Sequence, residues 1–168
     1  SINVCGIAGY SIASGQKMIS LDSALEAMRH RGPDSKGVLY RENNGIGLAH
    51  TRLSIQDLSS LGHQPMPSDD KAITIIFNGE IYNFLELRTR LQDAGHCFKG
   101  RSDTEVLLRL YQQDGIEMLQ SLNGIFAIAI WDQDRQSLFV ARDALGVKPF
   151  YFAAEDGLFA FASEVKAL

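Results

Sequence analysis

The stretch IFAIAIWDQDRQSLFVARD, residues 125–143, decides the fold class. It holds two apolar runs on either side of the polar segment DQDRQ. Their β-branched and aromatic content, with a turn between them, reads as two strands. A connection this short admits only antiparallel pairing, because a parallel neighbour needs a crossover of a dozen or more residues. FYFAAEDGLFAFAS, residues 150–163, repeats the arrangement, with Glu155, Asp156 and Gly157 as its turn. Further upstream, VCGIAGYSI (4–12), LAHTRLSI (48–55) and AITIIFNG (72–79) also read as strands.

Three segments have helical spacing. In residues 20–32, Leu21, Leu25 and Met28 share a face, and Gly32 lies past the end. In residues 83–95, Phe84, Leu87 and Leu91 recur at helical intervals, with Asn83 as the expected N-cap and Gly95 as the stop. Residues 102–115 open with a capping-box pattern, Ser102 followed by Glu105, and Gly115 ends them. Val106, Leu107, Leu110 and Tyr111 form the inward face, and a short fourth piece, IEMLQSL, follows. The order of strands, helix, strands, two helices and many strands lacks the alternation of a parallel doubly wound sheet. It predicts an α+β fold of antiparallel sheets with helices on their outer faces.

Bulk properties narrow the function. The 168 residues suit one domain, and 45% hydrophobic content is enough for a sizeable core. A net charge of -4, with scattered Lys and Arg, argues against nucleic-acid binding. No apolar run approaches the ~20 residues of a membrane span, and no signal peptide opens the chain. Two cysteines, Cys5 and Cys97, do not make a disulfide scaffold, so a reduced, cytoplasmic protein is the default. Ser1–Val4 read as a tag, a propeptide or a native start, and the final SEVKAL reads like a cut inside a longer protein.

Four stretches are polar where a plain core would not require it: RHRGPDSKG, LAHTRLSIQD, FNGEIYN and RSDTE. Asn78-Gly79 has an ordinary reading as a hairpin turn. It also reads as an oxyanion hole, the Asn78 amide and the Gly79 N–H donating to a developing negative oxygen. Arg52 is either an edge-strand arginine in water or a planar clamp on a substrate carboxylate. Asp103 is either a favourable charge at a helix N-terminus or a partner for a substrate ammonium. A carboxylate clamp with an ammonium clamp would recognise an α-amino acid. His30, His50, His63 and His96 lack metal-like spacing, and there is no CxxC or phosphate-binding loop. A Cys5–His50 dyad stays open, whereas Cys97, before the charged KGRSD, has no expected catalytic task.

The ordered set CGIAGY, HRGPDSKG, HTRLSIQD, FNGEIYN, SDTE, LNGIFAIAIWD, ARDALGVKPFYF and FASEVKAL covers nearly the whole chain. It resembles the class II glutamine amidotransferase domain of the N-terminal-nucleophile hydrolases, on the branch of glutamine-hydrolysing asparagine synthetases. The resemblance implies a four-layer αββα sandwich of two antiparallel sheets between helices. It implies Cys5 as the nucleophile that attacks the glutamine side-chain amide, with its own α-amine as base. It implies Asn78 and Gly79 as the oxyanion hole, Arg52 on the glutamine carboxylate, and Asp103 with Glu80 at the glutamine amine. No metal or other cofactor is expected in this domain. ATP and Mg are expected only in an amide-forming synthetase domain that should follow, as the partner receiving ammonia, and a homodimer stays open.

One departure stands out. In the family the nucleophilic cysteine begins the mature chain, and here SINV precedes Cys5. With its nitrogen in an amide bond, Cys5 keeps its thiol and lacks the amine base. A leader or scar is favoured over an inactive protein. The alternative is a non-hydrolysing glutamine-binding module with a sensor or regulatory role.

Overall fold

The computed structural model describes residues 5–53 and 60–168. Nine strands and three α-helices make up its regular elements. One sheet is built from β1 (Gly6–Ile12), β2 (Ser35–Arg41), β3 (Ile46–Arg52), β8 (Tyr151–Glu155) and β9 (Leu158–Ala162), in the order β2-β3-β1-β9-β8. The other holds β4 (Met66–Pro67), β5 (Ile73–Ile81), β6 (Gly124–Asp132) and β7 (Ser137–Arg142), in the order β4-β5-β6-β7. Every pair within the two sheets is antiparallel.

Side chains alternate between two faces of each strand, and the layers follow from that period of two. Ile7, Ile46, Leu48 and Phe161 of the first sheet meet Ile76, Ala127, Ala129 and Trp131 of the second. The sheets therefore pack face to face over a shared apolar layer. The opposite face of β5 and β6, with Ile75, Phe77, Ile128 and Ile130, packs on Leu87, Leu91, Val106, Leu107 and Leu110. Those five belong to α2 (Phe84–Asp93) and α3 (Asp103–Asp114). Ala8, Tyr10 and Ala49 face the other way, against Leu21, Leu25 and Met28 around α1 (Asp22–Ala27). The result is a four-layer α+β sandwich.

Several local expectations change. The first helix is shorter than its sequence pattern, six residues, and Arg29–Gly32 already form turns. Asn83 holds the N-cap position of α2 as expected, but its side chain makes no capping hydrogen bond. Its side chain instead donates to the Ser121 carbonyl at 2.8 Å and accepts from the Asn123 N–H at 3.0 Å, tying the start of α2 to the entry of β6. Residues Ser35–Arg41, within and beyond the charged RHRGPDSKG segment, form an edge strand. Asn78-Gly79 is not a turn, because β5 continues through Ile81 with Gly79 opposite Phe126. The expected strand residues 54 and 55 lie outside the described residues.

Candidate active site

The two sheets open at one end into a cavity of about 570 Å³. Cys5, Arg52, Gly79, Glu80 and Asp103 all line it. They arrive from four places: the entry to β1, the end of β3, β5 and the first turn of α3. Five of the six residues singled out in the sequence thus share one wall. Asn78 does not appear on that wall, but lies between its residues Phe77 and Gly79 and is 1% exposed.

Gly79 explains the geometry of this stretch. Its φ is +150°, and a Cβ there would lie 2.1 Å from the Ile125 carbonyl oxygen. Only glycine fits so close to the neighbouring strand. Asn78 then turns inward, and neither end of its amide finds a hydrogen-bond partner among the described residues. Buried polar groups are nearly always paired, and this amide leaves a donor and an acceptor without a protein partner next to the cavity wall.

Cys5 carries a free thiol, half-buried. Burial pushes its pKa up, and a hydrogen bond with the Leu53 backbone, then Lys148 and Arg52, oppose that rise. Asp103 adds to the rise. Asp103 itself is pushed up to about 6, chiefly by desolvation, with the charge of Glu80 in the same direction. Backbone N–H groups of Ile81 and Thr104 oppose it. A carboxyl so placed, beside a second acidic group, favours a cation.

His50 closes the dyad question. It lies on the inner face of β3, and its Nε2 is 3.2 Å from the Phe77 carbonyl oxygen across the sheet interface. A carbonyl only accepts, so the neutral ring donates from Nε2. Burial drives its pKa down to about 3, with Arg52 and His63 adding to the drop. A base that weak does not deprotonate a thiol whose pKa is raised. His50 links the two sheets through this contact, on the cavity lining that also holds Cys5.

Two shaping residues carry no signal as a functional pair in the sequence. Gln64 accepts from the Phe77 N–H at 2.6 Å and donates to Thr104 Oγ at 3.1 Å, joining β5 to α3 across the cavity floor. Glu105 completes only half of the expected capping box: its N–H donates to Ser102 Oγ at 3.2 Å. Its carboxylate turns instead to the N–H groups of Lys99 and Gly100, at 2.9 and 2.7 Å, and pins that part of the cavity rim. Among the described residues, no group of three His, Cys, Asp or Glu side chains could hold a metal ion. No helix among them is long and apolar enough to cross a membrane.

Comparison with known proteins places this geometry. The chain is 42% identical to the glutamine-hydrolysing asparagine synthetase 3 of Bacillus subtilis, over 98% of its own length and 27% of the relative's. It is 39% identical to a putative glutamine-hydrolysing asparagine synthetase 2 of Methanocaldococcus jannaschii, over 98% of its length and 35% of that protein. It therefore spans about a quarter to a third of these relatives. Among solved structures, the glutamine phosphoribosylpyrophosphate amidotransferase of B. subtilis superposes with a TM-score of 0.81 at 22% identity. That match covers 97% of this chain and 42% of the other, and it shows the shared fold. The model of the glutamine amidotransferase domain matches residues 4–168. With a thiol, a guanidinium and a desolvated carboxyl around one cavity, and that match over nearly the whole chain, this protein belongs to the glutamine amidotransferase domain family.

Proposed function

We propose that the domain hydrolyses the side-chain amide of glutamine and delivers ammonia to an ATP-dependent, asparagine synthetase-like amide-forming domain. The observation that carries this is the convergence of Cys5, Arg52 and Asp103 on one cavity, with the orphaned Asn78 amide beside it. Arg52 grips the substrate carboxylate, and Asp103 with Glu80 takes the ammonium. These two clamps present the side-chain amide carbon to Cys5. The α-amine of Cys5, present once residues 1–4 are off, accepts the thiol proton. Its ordinary pKa of ~7.7–8.0 suits that role. Sulfur attacks, and the carbonyl oxygen becomes an oxyanion facing the Asn78 amide and the Gly79 N–H. The amine returns the proton to the leaving nitrogen, ammonia departs, and a thioester remains. Water then attacks the thioester, releasing glutamate and restoring the thiol.

Every group in that scheme comes from this chain or from the substrate, so no cofactor is needed here. ATP and Mg belong to the amide-forming partner. The unpaired thiols of Cys5 and Cys97 suit a reducing cytoplasm.

The test is ammonia release from glutamine by the chain as given and by one beginning at Cys5. Activity is expected only in the second, absent in Cys5→Ala and reduced about 10- to 100-fold in kcat/KM by Arg52→Ala, a charge-assisted hydrogen bond being worth ~1.5–3 kcal/mol. Full activity in Cys5→Ala would end the proposal. Glutamine binding by calorimetry without turnover in the trimmed chain would favour a sensor instead.

A further inference from the structure

One edge of β5 is paired with β6 along its whole length, whereas β4 covers the other only at Thr74 and Ile75. In an antiparallel strand, alternate residues turn their backbone groups to opposite edges. Beyond Ile75, the groups on the uncovered edge need other partners. Ile73 begins the series: its N–H donates to Ser68 Oγ at 3.0 Å, and its carbonyl accepts from the Ser68 N–H at 2.7 Å. Phe77 continues it with two side chains. Its N–H donates to Gln64 Oε1 at 2.6 Å, and its carbonyl accepts from His50 Nε2 at 3.2 Å. Ile81 ends it, with its N–H on the Asp103 carboxyl.

Gly79 is the gap in this series. Phe126, opposite it on β6, gives both backbone groups to Asp143: its N–H donates to Oδ1 at 3.1 Å, and its carbonyl accepts from the Asp143 N–H at 2.9 Å. The backbone groups of Gly79 therefore turn to the uncovered edge, where neither finds a partner among the described residues.

Gln64 fills the position beside the gap and reaches beyond it. A backbone N–H only donates, so Oε1 faces Phe77 and Nε2 donates to Thr104 Oγ at 3.1 Å. Phe77 immediately precedes Asn78-Gly79, and Thr104 immediately follows Asp103. Gln64 and Thr104 are both buried, and the Gln64 carbonyl lies so close to Gly37 of β2 that a side chain there would collide with it. One amide, backed by the first sheet, thus ties the strand of the oxyanion donors to the helix start that carries the ammonium clamp.

We propose that Gln64 is a positioning residue with two separable arms: through Phe77 it holds the Asn78-Gly79 edge, and through Thr104 it holds Asp103. The roles of the two ends rest on the glutaminase reading. Gln64 acts through these neighbours and not on the substrate.

The arms are separated by kinetics on the chain beginning at Cys5. Thr104→Val removes the helix arm alone. It should raise glutamine KM about 3- to 10-fold, the size of one neutral hydrogen bond, and leave kcat within about twofold. Thr104→Ser keeps the hydroxyl and both constants. Gln64→Met removes both arms, so it should raise KM as T104V does and also lower kcat about 10-fold, because the oxyanion donors lose their fixed place. Gln64→Asn, too short to span both partners, carries the same expectation should Q64M not fold. Parental constants in Q64M or Q64N overturn the proposal. So does a kcat loss in T104V equal to that in Q64M, which would show a general loosening.

A second readout needs no glutamine. The Asp103 carboxyl is titrated by carbon NMR in the chain as given. The N–H groups of Ile81 and Thr104 favour its charge, while burial and the charge of Glu80 oppose it. Freeing the helix start weakens those hydrogen bonds, so T104V and Q64M should move the midpoint upward by about half a unit, and T104S should not move it. If the parent beginning at Cys5 releases no ammonia, the glutaminase reading falls and this titration alone decides. An unshifted Asp103 midpoint in folded T104V then overturns the positioning role.

Discussion

Asp103 stands in the cavity as a carboxyl whose environment resists its charge, with a pKa of about 6 against an ordinary 3.8. Between these values the folded state holds more protons than the unfolded one, so stability falls as pH rises from about 4 to about 6. Above that window the whole penalty, at most about 3 kcal/mol, is in place. Asp103→Asn is therefore expected to raise the melting temperature of the substrate-free chain at pH 8 and not at pH 4. The same variant loses glutamine binding, read by calorimetry, since the ammonium clamp is gone. Equal stabilisation at both pH values would sink the argument. In the chain beginning at Cys5, glutamine KM should climb as pH falls below about 6, where the carboxyl takes a proton instead of an ammonium.

Asn78 poses the same trade in hydrogen bonds. Its buried amide has no partner among the described residues, a state that costs ~1–3 kcal/mol in the resting protein. Asn78→Ala should lower kcat of the Cys5-first chain by about 10²- to 10³-fold, the usual size for one oxyanion donor. KM should stay within a few-fold, and melting should show no large loss. A kcat within threefold of the parent would remove Asn78 from the reaction.

In the strand β5, one position depends on having no side chain. Gly79 bends inside a paired strand, where a Cβ would meet the Ile125 carbonyl oxygen. Gly79→Ala should destabilise the fold by several kcal/mol, read by chemical denaturation, because both the φ and the contact are forbidden to alanine. A melting curve like the parent's would mean that β5 straightens without cost. Strands such as β5 and β6 were legible in the sequence because their alternating side chains serve two different apolar layers. β2 was not, since the edge strand Ser35–Arg41 has no fully buried residue to set a pattern. The N-cap position of Asn83 was legible, but not the partners of its amide, which lie some forty residues away where local spacing does not record them. Cys5, Arg52, Gly79 and Asp103 could be singled out because their types are unusual in their settings, and Glu80 through the family resemblance. Gln64 is an ordinary residue made special only by what folds against it.

At the level of the whole molecule, the two edges of the first sheet differ. All five residues of β8 are exposed, Phe152 at 67%. A flat, apolar edge strand is prone to pairing with other chains. Phe152→Lys should slow aggregation of the concentrated chain, measured by light scattering, and change stability by no more than about 0.5 kcal/mol. Unchanged scattering would show that this edge is already protected.

Cys5 stands at the entry of β1, whose two neighbours are β3 and β9. The Ile7 N–H donates to Ser163 Oγ at 2.9 Å, and the Ser163 N–H to the Ile7 carbonyl at 2.8 Å. The start of β1 is therefore clasped by a residue just past β9, more than 150 residues downstream. On a ribosome, β1 emerges first and waits for β9 before its sheet can close. A nascent chain holds β1 by β3 alone until β9 has left the exit tunnel. Vectorial synthesis thus leaves the thiol's strand with one neighbour missing until the last strand of the sheet is made.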